Sequence, residues 1–225
     1  MDGILIVNKP AGITSHDAVD FIRRRFNIKR VGHAGTLDPM ATGVLVMLLG
    51  KATKLSNIFM GNDKEYIARM LFGKKTDTQD SSGRVIEEKE IEAPGIDDIE
   101  KALGSFKGNI DQIPPMVSAI KHKGKKLYQL ARSGKTIERE PRKIRIDSID
   151  VIEYKFPELC FRVRCSKGTY VRTLCEDIGA ALGVPSHMSG LVRSASGDFL
   201  LEDSKGLDEI HEKDIISYSG YDRHI

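Results

Sequence analysis

The chain has 225 residues, 40% of them apolar and 30% charged, with a formal net charge of +3. This is enough chain and apolar content for a real core, and it argues against a disordered or fibrous protein. The longest apolar runs fall well short of the roughly 18 residues a membrane span needs, and the opening MDGILIVNKPAG has an acid where a signal peptide carries positive charge, so a cytoplasmic protein is expected.

In chain order, residues 3–8 (GILIVN) read as a buried first strand, stopped by Lys9-Pro10 and Gly12. Ser15 is placed to cap a helix running to Phe26, with Val19, Ile22 and Phe26 at helical spacing. A glycine-containing loop follows (RVGHAGTLDP), then a continuous apolar strand over 44–49 and a short helix over 52–59. Residues 65–72 read as a strand, 74–84 as a polar loop, 85–91 as a strand and 96–106 as a helix with Ile99 and Leu103 inward. Ile113-Pro114-Pro115 breaks regular structure, and a short helix is expected over 126–132. Two long strands at 144–154 and 159–165 precede a helix over 169–182, a strand over 191–199 and a short helix over 207–212. Strands and helices mix without strict alternation, which points to an α+β fold on a mixed, mostly antiparallel sheet. With no Pro/Ser-rich linker, residues 1–200 read as one domain, 114–145 as a basic insertion on it, and 201–225 as a short acidic tail.

Charge is segregated. Between Lys107 and Arg145 lie eleven lysines and arginines, including Lys121, Lys123, Lys125, Lys126 and Arg142, against only Asp111, Glu138 and Glu140. A second basic cluster is Arg23, Arg24, Arg25, Lys29 and Arg30, whereas acids gather at 87–100 and after Asp198. A polyanion held on one face fits this pattern, as does a solvated surface with fortuitous clustering.

Several chemistries lack their motifs. Gly43…Gly50-Lys51 has six residues between the glycines and Ala52 after the lysine, which does not fit a phosphate-binding loop. Gly32-His33-Ala34-Gly35 lacks dinucleotide spacing. The six histidines are scattered, and Cys160, Cys165 and Cys175 have no paired-ligand spacing, so no metal site is expected and reduced, buried thiols are favoured over a zinc site or a thiol nucleophile. A Gly-x-Ser-x-Gly turn is absent. Asp38 remains. Asp before Pro is an ordinary turn residue, yet here glycines permit close approach on one side and a buried strand anchors the other, a setting that can hold a carboxylate rigidly toward a ligand. The segment CSKGTYVRTL supplies Tyr170, with a flat face and a hydroxyl, and Arg172, a cation able to keep a nearby carboxylate ionised.

Taken together these pieces resemble the B-type tRNA pseudouridine synthases. Gly32-His33-Ala34-Gly35-Thr36-Leu37-Asp38-Pro39 with Ala41-Thr42-Gly43-Val44-Leu45 resembles the family's catalytic motif. Asn8-Lys9-Pro10-Ala11-Gly12, Asp63-Lys64-Glu65-Tyr66, Thr76-Asp77-Thr78-Gln79-Asp80, Gln112 to Ala119, Cys165 to Arg172 and Leu191-Val192-Arg193 follow in the family's order, over about residues 3–200. The resemblance implies an enzyme that isomerises the T-loop uridine of tRNA after flipping it out, on a mixed sheet flanked by helices. It implies no cofactor, no membrane and no protein partner, and a monomer. Asp38 would be the catalytic aspartate, Tyr66 the stacking platform and Arg172 the partner of the carboxylate. Tyr170 and Leu191 would line the pocket, His33 would meet the T loop, and Lys9 and Asp80 would be cleft residues. The basic 114–145 segment would close on RNA, with Lys121, Lys123, Lys125, Lys126 and Arg142 on its backbone. A non-catalytic tRNA-binding or folding factor on the same fold is the alternative; the joint presence of Asp38, Tyr66 and Arg172 argues against it. Bacterial members typically continue into a C-terminal PUA domain, and the acidic residues after 200 do not resemble one.

Overall fold

The computed structural model describes residues 1–118, 120–122 and 124–221; the side chains of Lys121, His122, Lys126 and Arg132 also lie outside the description. In chain order the elements are β1 (Gly3–Lys9), α1 (Ser15–Arg25), β2 (Val31–His33), β3 (Thr42–Leu49), α2 (Ser56–Gly61), β4 (Lys64–Phe72), β5 (Lys74–Thr76), β6 (Val85–Glu88), α3 (Ile96–Ser105) and β7 (Gly108–Gln112). There follow β8 (Lys121–His122), β9 (Lys125–Lys126), α4 (Leu127–Arg132), β10 (Arg142–Lys155), β11 (Glu158–Cys165), α5 (Val171–Ala181), β12 (Ser186–Ser196), β13 (Phe199–Leu200) and β14 (Lys205–Gly206). Two compact units result, one from residues 1–67 and 191–225, the other from 68–190.

In the first unit the strand order is β14-β1-β3-β12, with β2 on β3 and β13 on β12. β1 pairs antiparallel with β3 from Gly3↔Leu49 to Lys9↔Gly43, while β14 joins β1 and β12 joins β3 in parallel. The expected α+β class with a mixed, mostly antiparallel sheet is what forms. The apolar runs of β1 and β3 are buried on both faces, which is why they read as continuous rather than alternating. Ile4, Ile6, Val44, Val46, Leu48, Leu55, Phe59 and Phe199 make one core, and Tyr218 and Tyr221 pack on it. The residues after 200 therefore carry more than charge. Ile210 is fully buried, and Ile216 exchanges both main-chain hydrogen bonds with Ile4 (2.9 and 2.8 Å).

The second unit orders its strands β4-β11-β10-β7. Alternation on β10 and β11 sends Ile144, Ile146, Leu159, Phe161, Val163 and Cys165 inward, beside Ile99 and Leu103 of α3 and Leu174 and Ile178 of α5, which are buried as well. All three cysteines are buried thiols outside any disulfide, as expected.

Some boundaries differ from the sequence reading, each for a local reason. Thr14, not Ser15, caps α1: its hydroxyl accepts from the Asp17 amide (3.1 Å), and the Asp17 carboxylate accepts from the Thr14 amide (2.8 Å) to close a capping box. Residues 52–59, read as one helix, fall in a 3-10 turn (Gly50–Leu55) followed by α2. The segment read as a polar loop begins with β5, whose Lys74 pairs with Glu88 across the β5–β6 hairpin (2.9 Å). β2 and β7 were not legible: three residues show no period, and GNIDQ is an outer strand with no apolar face.

Candidate active site

The Asp38 loop is held from three elements of the first unit. From β1, the ammonium of Lys9, 0% exposed, donates to the carbonyls of Pro10 (2.7 Å), Ile13 (2.8 Å) and Pro39 (3.3 Å). From α1, the buried Ser15 hydroxyl accepts from the Leu37 amide (2.8 Å) and donates to its carbonyl (3.1 Å). Freed from capping duty by Thr14, Ser15 brackets the residue preceding Asp38. From β12, the guanidinium of Arg193, 1% exposed, donates to Val44 (2.7 Å), Gly35 (3.0 Å) and Thr36 (3.4 Å) carbonyls. Gly12 adds an amide to the Pro39 carbonyl (2.8 Å), and the Asp38 carbonyl closes its own turn onto the Ala41 amide (3.0 Å).

The glycine at 43 follows from this bracing. Gly43 has φ of +102° and lies against the Arg193 main chain, where a Cβ would meet the carbonyl oxygen at 2.3 Å. A side chain there would push β12 off β3 and carry the Arg193 guanidinium away from the loop.

Electrostatically the loop lies between two buried cations whose hydrogen-bond partners are main-chain carbonyls. Burial pushes the Lys9 ammonium down to about 8; the charge of Asp38 opposes that shift and Arg193 adds to it. His33, at the end of β2, is held below the ordinary histidine range first by burial and then by Arg193, and its Nδ1 is buried without a hydrogen-bond partner. Asp38, Tyr66 on β4 and His33 are each half-buried, whereas Leu191 is buried. The first unit therefore supplies Lys9, His33, Asp38, Tyr66 and Leu191 of the expected residues.

The second unit supplies Asp80, Tyr170 and Arg172. Arg172, 3% exposed in the first turn of α5, donates to the carbonyls of Thr78 (2.9 Å) and Val117 (3.0 Å), and its Nε stands 3.7 Å from an Asp80 oxygen. The Asp80 carboxylate accepts from the Thr78 hydroxyl (2.7 Å) and the Ser82 amide (3.0 Å). Tyr170 is fixed through its backbone, because the buried Gln112 carboxamide accepts from its N–H (2.8 Å) and donates to its carbonyl (3.1 Å). Arg142 opens β10 opposite Gln112, and Lys125 lies in the β8–β9 hairpin, both exposed. Lys123 and the side chains of Lys121 and Lys126 lie outside the described residues.

Sequence reading took Ser15 for a helix cap and named Gln112 and Arg193 only within longer motifs, so the bracing roles of all three were missed. Arg193 left a signal, a charge set among the apolar and small residues Leu191, Val192, Ser194 and Ala195. Among the described residues no three or more His, Cys, Asp or Glu converge as a metal site.

Two solved chains share this architecture. One, from a Cbf5–Nop10–Gar1 complex, superposes with a TM-score of 0.73 at 33% identity over 92% of this chain and 53% of its own. Another, from an H/ACA RNP bound to a substrate RNA containing 2′-deoxyuridine, gives 0.70 at 29% over 99% of this chain and 56% of its own. This chain thus spans a little over half the length of each. The likeness to these chains shows the fold, and the family models show its class, a pseudouridine synthase. The model of the TruB family pseudouridylate synthase N-terminal domain matches residues 23–171, and that of the tRNA pseudouridylate synthase B C-terminal domain matches 172–220. A tRNA pseudouridine synthase B of Protochlamydia amoebophila is 48% identical over 94% of this chain and 80% of its own length, and one of Caldanaerobacter subterraneus is 49% identical over 94% and 75%. The chain belongs to the TruB family of pseudouridylate synthases, which are isomerases.

Proposed function

We propose that this isomerase acts on tRNA and converts the T-loop uridine to pseudouridine. The N1–C1′ bond breaks, uracil turns in place, and a C5–C1′ bond forms; C5 gives up a proton and N1 gains one, with no net redox change. Asp38 starts the reaction, by attack on C1′ or by taking the proton that begins glycal formation. Both routes require an ionised carboxylate in one orientation. The observation that carries this reading is the bracing of the Asp38 loop by Lys9, Ser15 and Arg193, which pre-organises a carboxylate as catalysis demands.

The target base lies within a folded loop and has to be flipped out. Tyr66 gives it a flat surface, which tolerates rotation because stacking is indifferent to in-plane direction. Leu191 and Tyr170 match the family's contacts to the base, Arg172 matches its partner for the catalytic carboxylate, and His33, whose burial favours the neutral ring, meets the T loop. Lys125 and Arg142, with the neighbouring lysines of the basic segment, neutralise backbone phosphates. The enzyme works as a monomer on the T stem-loop. That the relatives are named for tRNA supports the substrate class.

The test is incubation with unmodified tRNA followed by chemical mapping of pseudouridine, for the wild type and Asp38→Asn. Wild type should modify the T-loop uridine, and Asp38→Asn should bind RNA normally without turnover. Modification elsewhere, or an Asp38→Asn rate within about tenfold of wild type, would remove the assignment.

A further inference from the structure

Among the described non-glycine residues, Asn27 (φ 52°) and Gln79 (φ 64°) have a left-handed backbone. Asn27 lies just beyond the end of α1, where asparagine commonly takes that conformation. Gln79 has no such excuse. Glutamine has no short side chain to stabilise the conformation locally, and such outliers persist only where surrounding structure over-determines them.

What over-determines Gln79 is a set of hydrogen bonds using all its polar groups. Its amide N–H donates to Thr76 O (3.1 Å), and its carbonyl accepts from Met188 N (3.0 Å). Its side-chain Oε1 accepts from the Thr173 hydroxyl (2.7 Å), and Nε2 donates to Glu176 Oε1 (3.1 Å). Thr173 and Glu176 are both on α5: Thr173 follows Arg172 directly, and Glu176 lies one turn beyond it. Gln79's neighbours in the chain are two of the groups that face the guanidinium, the Thr78 carbonyl at 2.9 Å and the Asp80 carboxylate at 3.7 Å.

We infer that Gln79 is a positioning residue for Arg172: its carboxamide ties the Thr78–Asp80 turn to the helix that carries the guanidinium and so fixes the acceptors against it. The inference rests on the reading of Arg172 as part of the reacting centre. A hydrogen-bond exchange isolates the tie. Gln79→Glu keeps the shape and the bond from Thr173, but sets a carboxylate against Glu176. Adding Glu176→Gln reverses donor and acceptor, restoring the bond while keeping one negative charge beside Lys75, which pairs with Glu176 at 3.2 Å.

The measurement is the single-turnover rate at saturating tRNA, with tRNA affinity and melting temperature for each variant. Gln79→Glu should slow the chemical step about tenfold with affinity within about twofold, and the double variant should recover to within about threefold of wild type. Gln79→Gly, which takes up the left-handed backbone freely, should also be slow with affinity kept, and it carries the test if Gln79→Glu does not fold. Wild-type rates in both single variants, or a folded double variant as slow as Gln79→Glu, would overturn the inference. Arg172→Lys separates the two levels, since lysine cannot reproduce the planar fork. A slow Arg172→Lys beside fast Gln79 variants removes only the tie; an Arg172→Lys at the wild-type rate overturns both readings.

Discussion

Replacing Gly43 with alanine puts a methyl carbon 2.3 Å from the Arg193 carbonyl oxygen, 2.8 Å from its nitrogen and 3.0 Å from its carbonyl carbon. All three are main-chain atoms of a paired strand, so no flexible side chain can yield. Restoring ordinary contact takes roughly 1 Å of movement of β12 away from β3. Overpacking of that kind costs about 1–3 kcal/mol, and the φ of +102° adds about 1–2 kcal/mol once a Cβ is present. Each kcal/mol lowers the midpoint by about 2–4 °C for a chain of this size, so thermal unfolding should shift down by about 4–20 °C. Gly108 is the control: its φ of +97° is similar, but its Cβ would meet nothing within 4 Å, so Gly108→Ala should lose only the backbone share. The two differ further in activity. Moving Arg193 releases Gly35 and Thr36, and a displacement of about 1 Å at a reacting group can cost about a hundredfold in rate, so Gly43→Ala should be slow at saturating tRNA while Gly108→Ala turns over normally. Circular dichroism melts and single-turnover kinetics give both readings. If Gly43→Ala melts no lower than Gly108→Ala, or reacts at the wild-type rate, Arg193 is not what sets the Asp38 loop.

Tyr66→Phe should keep most of the rate and Tyr66→Leu little of it, measured at saturating tRNA; equal and severe losses would instead give the phenol a proton-transfer role. For Lys9, the folded value of about 8 lies below the 10.5 of a free side chain, so between those pH values the unfolded chain binds more protons and the Lys9 contribution to stability rises with pH. Denaturant titrations of wild type and Lys9→Met should therefore diverge in favour of wild type across that window, by at most about 3 kcal/mol, and a constant difference would contradict a buried ammonium. Affinity for tRNA should fall steeply with salt, and neutralising Lys125 and Arg142 together should flatten the slope of log K against log salt by about 1–2; an unchanged slope would place the phosphates elsewhere.

What was legible in the sequence was whatever depended on local pattern. The first strand showed as an unbroken apolar run because both its faces are covered, and Asp38 stood out because glycine and proline crowd a single carboxylate. What was not legible depended on partners far along the chain. Thr14 and Ser15 are adjacent hydroxyls with equal claim to cap α1, and only Asp17 and Leu37 show why one caps and the other turns inward. Arg193 occupies a strand position that sequence alone leaves open to either face. Its burial becomes intelligible once the carbonyls of Gly35, Thr36 and Val44, about 150 residues earlier, are found around it.

The pairing of β1 also sets a timetable. One edge of β1 is covered by β3 within the first 49 residues, but the other waits for Lys205, Gly206 and Ile216. At ribosomal rates of about 5–20 residues per second, roughly 10–40 s separate synthesis of the strand from synthesis of its last partners. Throughout that interval the nascent chain presents GILIVN with an open row of main-chain donors and acceptors, the arrangement most prone to join a neighbouring polypeptide. Vectorial synthesis thus leaves the strand that bears Lys9 among the last to be enclosed, and chaperone shelter of the emerging N-terminal segment should govern the yield of soluble enzyme more than the stability of the finished fold.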